Sequence, residues 1–131
     1  DVYDKYPLIF MLYEDADNFS GINFHYLTPK QRAVLLGQMF MYLNNEDFGI
    51  TTKLMVQSFR ILIRNDRRFR FAKSAYRQYK PDQIRSKIIQ VHPLDWELAI
   101  MVPTEKFQSF AGSRITSRSV WIENTKRAKT I

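Results

Sequence analysis

The stretch that decides the fold is Tyr6–Tyr13, which reads YPLIFMLY. Bulky apolar side chains fill it without a break, and it stops at an acidic cluster that begins with Glu14. A continuous apolar run of this length is typical of a strand that is buried on both faces. Pro7 fits this interpretation, because a strand tolerates proline at its start, where one ladder donor can be spared.

The flanking sequence extends this strand into a mixed fold. Ile22–Leu27 alternates apolar and polar residues after the turn signal Ser20-Gly21, which predicts a half-buried strand paired with the first one. Thr28-Pro29 predicts a helix start, with threonine as the N-cap and proline at the first helical position. Apolar spacing predicts the remaining elements. The predicted elements are strands near 6–13, 22–27, 84–91 and 96–102, helices near 29–44 and 52–64, and a shorter helix near 70–79.

These elements predict a single α+β domain, in which a small antiparallel sheet packs with two to three helices. A length of 131 residues is usual for one domain. We expect residues 1–110 to form this domain and residues 111–131 to form a basic C-terminal extension. The C-terminal segment from Gln108 to Ile131 has few apolar residues to offset the entropy cost of ordering it, so we expect it to be mobile until it meets DNA or a neighbouring subunit. Because the chain begins at Asp1 without a methionine, we interpret it as a fragment, a processed product or the ordered part of a longer protein.

Composition and motifs argue against catalysis. The chain has no cysteine, which excludes a disulfide framework, thiolate metal sites and cysteine nucleophiles. His25 and His92 lie in separate predicted elements without metal-ligand spacing. The four glycines form no phosphate-binding loop, and no apolar run is long enough to span a bilayer. We therefore predict that the protein is not an enzyme and uses no cofactor, metal, small-molecule substrate or membrane.

Three pairs of carboxylates keep one enzymatic alternative open. A nuclease that uses two metal ions needs clustered carboxylates, and such pairs occur in predicted turns or acidic clusters. The pairs are Asp15/Asp17, Glu46/Asp47 and Asp95/Glu97.

Charge divides the chain sharply. Residues 1–50 carry three bases and seven acids, a net charge of −4, whereas residues 51–131 carry seventeen bases and six acids, a net charge of +11. An asymmetry of this kind indicates a surface that faces an anionic partner. The alternative is an ordinary solvated basic face.

The strongest functional signal is a run of basic and aromatic residues in the middle of the chain. Arginine binds phosphate through two hydrogen bonds, and exposed aromatic rings can stack on bases. On a helix, Lys73, Arg77 and Lys80 would share one face, whereas Phe69 and Phe71 are expected in the core. The candidate nucleic-acid-binding residues of this run are Arg60, Arg64, Arg67, Arg68, Arg70, Lys73, Tyr76, Arg77, Tyr79 and Lys80.

Basic residues return in the C-terminal extension, separated by serines and threonines. Such a segment can follow a phosphate backbone or become ordered against a partner protein, and the sequence does not choose between these. Trp121 is a candidate anchor in a partner's pocket. The candidate nucleic-acid-binding residues of the extension are Arg114, Arg118, Lys126 and Arg127.

Several stretches, taken in order and spacing, resemble the DNA end protector proteins of T-even-like tailed bacteriophages. The resemblance covers most of the chain and rests on structural signatures rather than a catalytic fingerprint. The stretches are Tyr6–Phe10, Ser20–Leu27, Arg85–Trp96, Ile100–Phe107 and Val120-Trp121.

This resemblance implies a virion protein that binds the ends of packaged double-stranded DNA and shields them from host exonuclease after injection. It implies a location in the head or neck of the virion, and in the host cytoplasm during assembly and after injection, with other virion proteins as partners. The alternative is a structural adaptor of the neck, tail or baseplate that makes protein–protein contacts.

Overall fold

The computed structural model describes residues 2–40, 48–84, 88–101 and 105–130. Within these ranges the chain forms five short strands and five helices, and this mixture confirms the predicted α+β class. The strands are β1 (Val2–Asp4), β2 (Ile9–Glu14), β3 (Phe19–Asn23), β4 (Tyr76–Tyr79) and β5 (Phe107–Ser109). The helices are α1 (Pro29–Phe40), α2 (Phe48–Asn65), α3 (Arg70–Ser74), α4 (Trp96–Met101) and α5 (Ser117–Thr130).

The central sheet has the order β2-β3-β4, and both of its strand pairs are antiparallel. β2 and β3 form the predicted hairpin, in which Phe10 lies opposite Ile22. Gly21 is required at this close approach, because a Cβ atom there would overlap the carbonyl oxygen of Phe10. The sequence therefore identified the first strand pair of the fold correctly.

The predicted strand over Ile22–Leu27 is wrong beyond Asn23. The side-chain oxygen of Asn23 accepts a hydrogen bond of 2.9 Å from the amide of His25, and a 3-10 turn follows over Phe24–Tyr26. Asparagine side chains compete with strand pairing through local hydrogen bonds of this kind. The segment is also fully buried, rather than half-buried as its alternation suggested.

The predicted helix start at Thr28 is confirmed. The Thr28 hydroxyl accepts a hydrogen bond of 3.2 Å from the Gln31 amide, and the Gln31 side chain accepts one of 2.9 Å from the Thr28 amide. This reciprocal pair satisfies two amides that the first turn of α1 leaves free. Residues 41–44 of the predicted helix lie outside the described residues, and α2 begins earlier than predicted, at Phe48.

The third helix, predicted over 70–79, ends at Ser74. The chain continues as β4, where Tyr76 lies opposite Ile22 and Tyr79 opposite Phe19. Tyrosine favours strands, because its ring packs well on a pleated surface. Pairing with β3, which is distant in sequence, decides the conformation here, so the helical spacing of this segment was misleading.

The strand predicted over 96–102 is wrong where the structure describes it. α4 covers Trp96–Met101 and follows a 3-10 turn over Pro93–Asp95. Glutamate, leucine, alanine and methionine make up most of this segment, and all four are strong helix formers. The Trp96 indole donates a hydrogen bond of 2.9 Å to the carbonyl oxygen of Val91, which fixes the start of the helix.

The strand predicted over 84–91 is also wrong where it is described, because Ile84 and residues 88–91 belong to no strand. Residues 85–87 lie outside the described residues. A second antiparallel ribbon instead pairs β1 with β5. Each of these strands has three residues, too few for a periodic pattern to reveal them in the sequence.

One hydrophobic core joins the sheet, the helices and the C-terminal segment. Val120 of α5 is 4% exposed and Phe107 of β5 is 3% exposed, so both belong to this core. The sequence predicts a mobile C-terminal segment, but in the structure this segment packs against the core through Val120. Its few apolar residues give no sign of this packing in the sequence. The division of the chain after residue 110 stays a prediction. The other large buried apolar side chains include Leu12, Ile22, Phe24, Leu27, Leu35, Met39, Phe59 and Phe69.

A buried arginine connects the segment after β3 with α4 and with Glu105, which lies just before β5. The Arg32 side chain is 3% exposed and donates hydrogen bonds to the carbonyl oxygens of Phe24, Leu27 and Ile100, at 2.8, 3.0 and 3.2 Å. It also forms an ion pair with Glu105. Burial alone would raise the pKa of the Glu105 carboxyl, but the Arg32 hydrogen bond and charge outweigh it and hold the pKa below its ordinary value.

Candidate nucleic-acid interface

The exposed part of the basic run is centred on the turn between α2 and α3. Asp66 caps this turn by accepting a hydrogen bond of 2.9 Å from the Arg68 amide. The Arg68 guanidinium, 81% exposed, also pairs with Asp66 at 2.8 Å, and these hydrogen bonds lower the pKa of the Asp66 carboxyl. Arg67 is exposed and forms no ion pair with any described acid. Arg67 is therefore the freer of the two arginines to meet a phosphate.

Four further cations of the candidate set lie on the elements around this turn. Arg64 is in the last turn of α2, Lys73 lies in α3, and Lys80 follows β4. All three side chains are exposed, whereas Arg70 is half-buried. Lys73 and Lys80 belong to different elements because β4 replaces the end of the predicted helix, so the prediction of one shared helix face is wrong.

Two arginines of the set hold the fold together. The Arg60 guanidinium donates a hydrogen bond of 2.7 Å to the carbonyl oxygen of Leu12 and lies 4.2 Å from the centre of the Tyr13 ring. The Arg77 guanidinium lies 4.2 Å from the centre of the Tyr26 ring and donates a hydrogen bond of 2.8 Å to the carbonyl oxygen of Ser74. Arg60 thereby joins α2 to β2.

The two candidate tyrosines differ in how much of their ring is available. The Tyr79 ring stacks on Phe19 at 5.5 Å, its hydroxyl accepts a hydrogen bond of 3.0 Å from Asn23, and burial raises its pKa. The Tyr76 hydroxyl lies 2.5 Å from that of Ser20, yet the residue remains 36% exposed. Tyr76 is the better placed of the two for contact with a base.

α5 separates the C-terminal residues into a packed face and an exposed face. Val120, Asn124 and Ala128 are buried, and the helix packs against α3 and the Phe24–Tyr26 turn. The basic run and the C-terminal segment are therefore neighbours in space. The candidate cations Arg114, Arg118, Lys126 and Arg127 are exposed, as is Lys129.

Trp121 contacts its own domain. Its indole donates a hydrogen bond of 2.9 Å to the carbonyl oxygen of His25, and the Arg32 guanidinium lies 5.6 Å from its ring centre. The ring is half-buried by these contacts. A role for Trp121 as an anchor in a partner's pocket stays a prediction.

A groove of about 670 Å³ lies between β1, β4 and α5. Arg77 and Arg127 both line it, together with Tyr26. Burial raises the pKa of the Tyr26 hydroxyl, while the positive charges of both arginines act to lower it. The groove therefore places two guanidinium groups near one phenol.

The same groove contains a polar side chain that no pattern in the sequence singles out. Asn124 is 2% exposed and lines the groove, and neither atom of its amide has a hydrogen-bond partner among the described residues. An unpaired buried amide costs about 1–3 kcal/mol. Phe110, at the rim, is 76% exposed, and its ring centre lies 5.4 Å from that of Tyr3. The pairing of β1 with β5 places Tyr3 beside Phe110, and the packing of α5 adds Asn124 to the same groove.

The histidines stay apart in the structure. The His25 ring lies 2.7 Å from the carboxylate of Asp4, with both side chains 1% exposed, whereas His92 is exposed. In the described ranges, no three His, Asp or Glu side chains are grouped so that they could hold a metal ion. None of the described helices is both long and apolar enough to cross a bilayer.

Comparison with known proteins agrees with the resemblance found in the sequence. The family model described as phage T4 terminal DNA protecting protein matches residues 1–124. No match to the chain was found among curated proteins or among solved structures. The family match spans both the acidic first part and the basic run, and it includes most of α5. The chain therefore belongs to the phage T4 terminal DNA protecting protein family.

Proposed function

We propose that this chain protects the ends of packaged double-stranded DNA from host exonuclease by covering them, without catalysis of its own. Its family is one of DNA end protection. The observation that supports the physical mechanism is the packing of α5 against α3, which brings the two basic segments of the chain together. Exposed cations on both segments can bind phosphates and release the counterions of the DNA.

The candidate residues fall into two groups under this proposal. Exposed cations, such as Arg64, Arg67 and Lys73, bind the phosphate backbone independently of sequence. Arg60 and Arg77, whose guanidinium groups bind backbone carbonyls, position the elements that carry the others. We place the protein in the virion, with the DNA ends, and in the host cytoplasm after injection, with other virion proteins as further partners. The alternative of a structural adaptor has no comparable support, because the family match concerns terminal DNA.

The test is protection of a linear duplex from a double-strand exonuclease. We expect the protein to delay degradation of blunt linear DNA while leaving endonuclease cleavage of a closed circle unchanged. Equal inhibition of both nucleases would show general coating of DNA and overturn the proposal of end protection.

A matched pair of variants tests the basic surface. Arg67→Ala/Lys73→Ala removes two exposed charges from the proposed surface, and Lys5→Ala/Lys30→Ala removes two exposed charges from the acidic first part. We expect the first variant to lose protection and to reduce the slope of log K against log salt by about 0.9 for each phosphate that the protein no longer neutralises. The second variant should behave as the unaltered chain. Equal behaviour of the two variants would contradict the assignment of this surface.

A further inference from the structure

The groove between β1, β4 and α5 is partly open to solvent and large enough to hold a ligand-sized molecule. Its volume of about 670 Å³ lies within the roughly 300–1,000 Å³ that proteins use to enclose ligand-sized molecules. This volume is too small to enclose a DNA duplex, whose major groove alone is about 12 Å wide. A single nucleotide is the part of DNA that such a groove can hold.

The chemistry of the lining favours a whole nucleotide over a simple anion. Arg127 is exposed and supplies planar donors that bind phosphate oxygens in pairs, and the positive charge of Arg77, whose guanidinium already donates to the carbonyl oxygen of Ser74, adds to the attraction for phosphate. Glu123 also lines the groove, and its carboxylate would repel a bare anion but can accept a hydrogen bond from an amino group on a base. Asn124 has a buried amide without a partner among the described residues, and if its side chain turns toward the groove, this amide can both donate to and accept from a base edge.

The rim of the groove supplies a surface for stacking. Phe110 exposes 76% of its area although the core lies close by, and among the described aromatic rings only that of Tyr3 packs against it. Exposed aromatic rings beside basic side chains are the usual platform for unpaired bases. The exposure of Phe110 and the unpaired amide of Asn124 are two separate features that a bound nucleotide would explain together.

We propose that this groove captures the terminal nucleotide of a DNA strand, with its phosphate bound by Arg127 beside the positive charge of Arg77 and its base against Phe110. The proposal rests on the proposed function and adds to it a reason for the preference for ends. A nucleotide must leave the base stack to enter the groove, and unpairing costs least where the pair is terminal or mismatched. An internal nucleotide would have to break stacking on both of its sides.

Competition binding with three DNA forms tests this proposal in the full chain. The forms are a blunt duplex, the same duplex with a mismatched terminal pair, and a closed circle. We expect the mismatched end to bind more tightly than the matched end, by about tenfold, because its terminal nucleotide is already free to unstack. The closed circle should bind most weakly.

Two variants and two matched controls locate the effect. Phe110→Ala and Arg127→Ala alter exposed residues of the groove, so both should fold, which circular dichroism checks. We expect each variant to bind the mismatched end no more tightly than the matched end, and so to lose the advantage of the mismatched end in affinity. Phe110→Ala should also bind ends about tenfold more weakly, because one base no longer stacks. Leu94→Ala, at an apolar position that is 86% exposed, and Lys30→Ala, at an exposed cation of α1 that is not among the residues lining the groove, should keep that advantage.

The outcomes separate this proposal from the function on which it rests. Suppose that linear ends bind more tightly than circles, but that a mismatched end binds no more tightly than a matched one. The groove then does not capture the nucleotide, and end protection stands. The same conclusion follows if the groove variants still bind the mismatched end more tightly than the matched end. If circles bind as well as ends, the proposed function itself fails and the groove proposal fails with it.

Discussion

The indole Nε1 of Trp121 donates a hydrogen bond of 2.9 Å to the carbonyl oxygen of His25. This bond connects α5 to the buried turn that follows β3. It fixes the helix that carries the C-terminal cations, so the basic end of the chain has a defined position relative to the sheet.

Removal of this bond should loosen α5. Trp121→Phe keeps an aromatic ring but removes the donor, and we expect it to lower the free energy of unfolding by about 1 kcal/mol. Ile122→Ala, at the neighbouring position that is 51% exposed, should change it by less than about 0.5 kcal/mol. Urea unfolding measures both. Equal effects of the two variants would show that the hydrogen bond does not hold the helix.

Two glycines should respond to alanine in opposite ways. Gly21→Ala places a methyl group against the backbone of Phe10 and should destabilise the hairpin by about 2–3 kcal/mol. Gly37→Ala lies in α1, where the new methyl group meets no atom within 4 Å beyond its chain neighbours and the nearby backbone of its own helix, and it should stabilise the fold by about 0.5–1 kcal/mol. Thermal unfolding of the two variants is the measurement, and a loss of stability in both would contradict this account of α1.

Arg60 and Arg64 lie one turn apart on α2 and should separate stability from DNA binding. Arg60→Ala removes the hydrogen bond to Leu12 and the interaction with the Tyr13 ring, so it should cost about 2 kcal/mol of stability. Arg64→Ala should change stability by less than about 0.5 kcal/mol and weaken DNA binding instead. Urea unfolding and a DNA-binding titration of both variants check this difference between the two residues. It fails if Arg64→Ala leaves binding unchanged at low salt.

The ion pair of Glu105 with Arg32 should make stability fall in acid. The pKa of the Glu105 carboxyl is held below its ordinary value of 4.5. A depressed pKa adds stability above that ordinary value, and this contribution disappears as the pH falls through the folded value. Glu105→Gln should lower stability by about 3 kcal/mol at neutral pH, because Arg32 stays buried without its counter-charge. It should also flatten the loss of stability below pH 4.5.

Urea unfolding across this pH range measures the effect, with Glu14→Gln, an exposed carboxyl of β2, as the control. The control should follow the profile of the unaltered chain. A Glu105→Gln profile as steep as that of the control would remove the ion pair from the acid response.

Local signals in the sequence determined part of this fold. The apolar run at Tyr6–Tyr13 and the turn at Ser20-Gly21 identified the first hairpin, and Thr28-Pro29 identified the start of α1. Each of these signals depends on residues that are close together in the chain, as the reciprocal hydrogen bonds between Thr28 and Gln31 illustrate. Composition likewise determined the contrast between an acidic first part and a basic remainder, because charge is a sum over residues and needs no fold.

The tertiary structure alone decided how these parts are used. Tyr76–Tyr79 is a strand because β3 offers it an edge, and β1 and β5 exist only by pairing with each other. The sequence predicts the same role, nucleic-acid binding, for Arg60 and Arg67. Only the fold shows that they differ, because Arg60 binds the carbonyl oxygen of Leu12 whereas Arg67 remains exposed. An apolar pattern shows that a segment has a buried face, but not which distant segment packs against that face. The packing of α5 against α3, and the groove that it closes, could therefore be found only once the chain was folded.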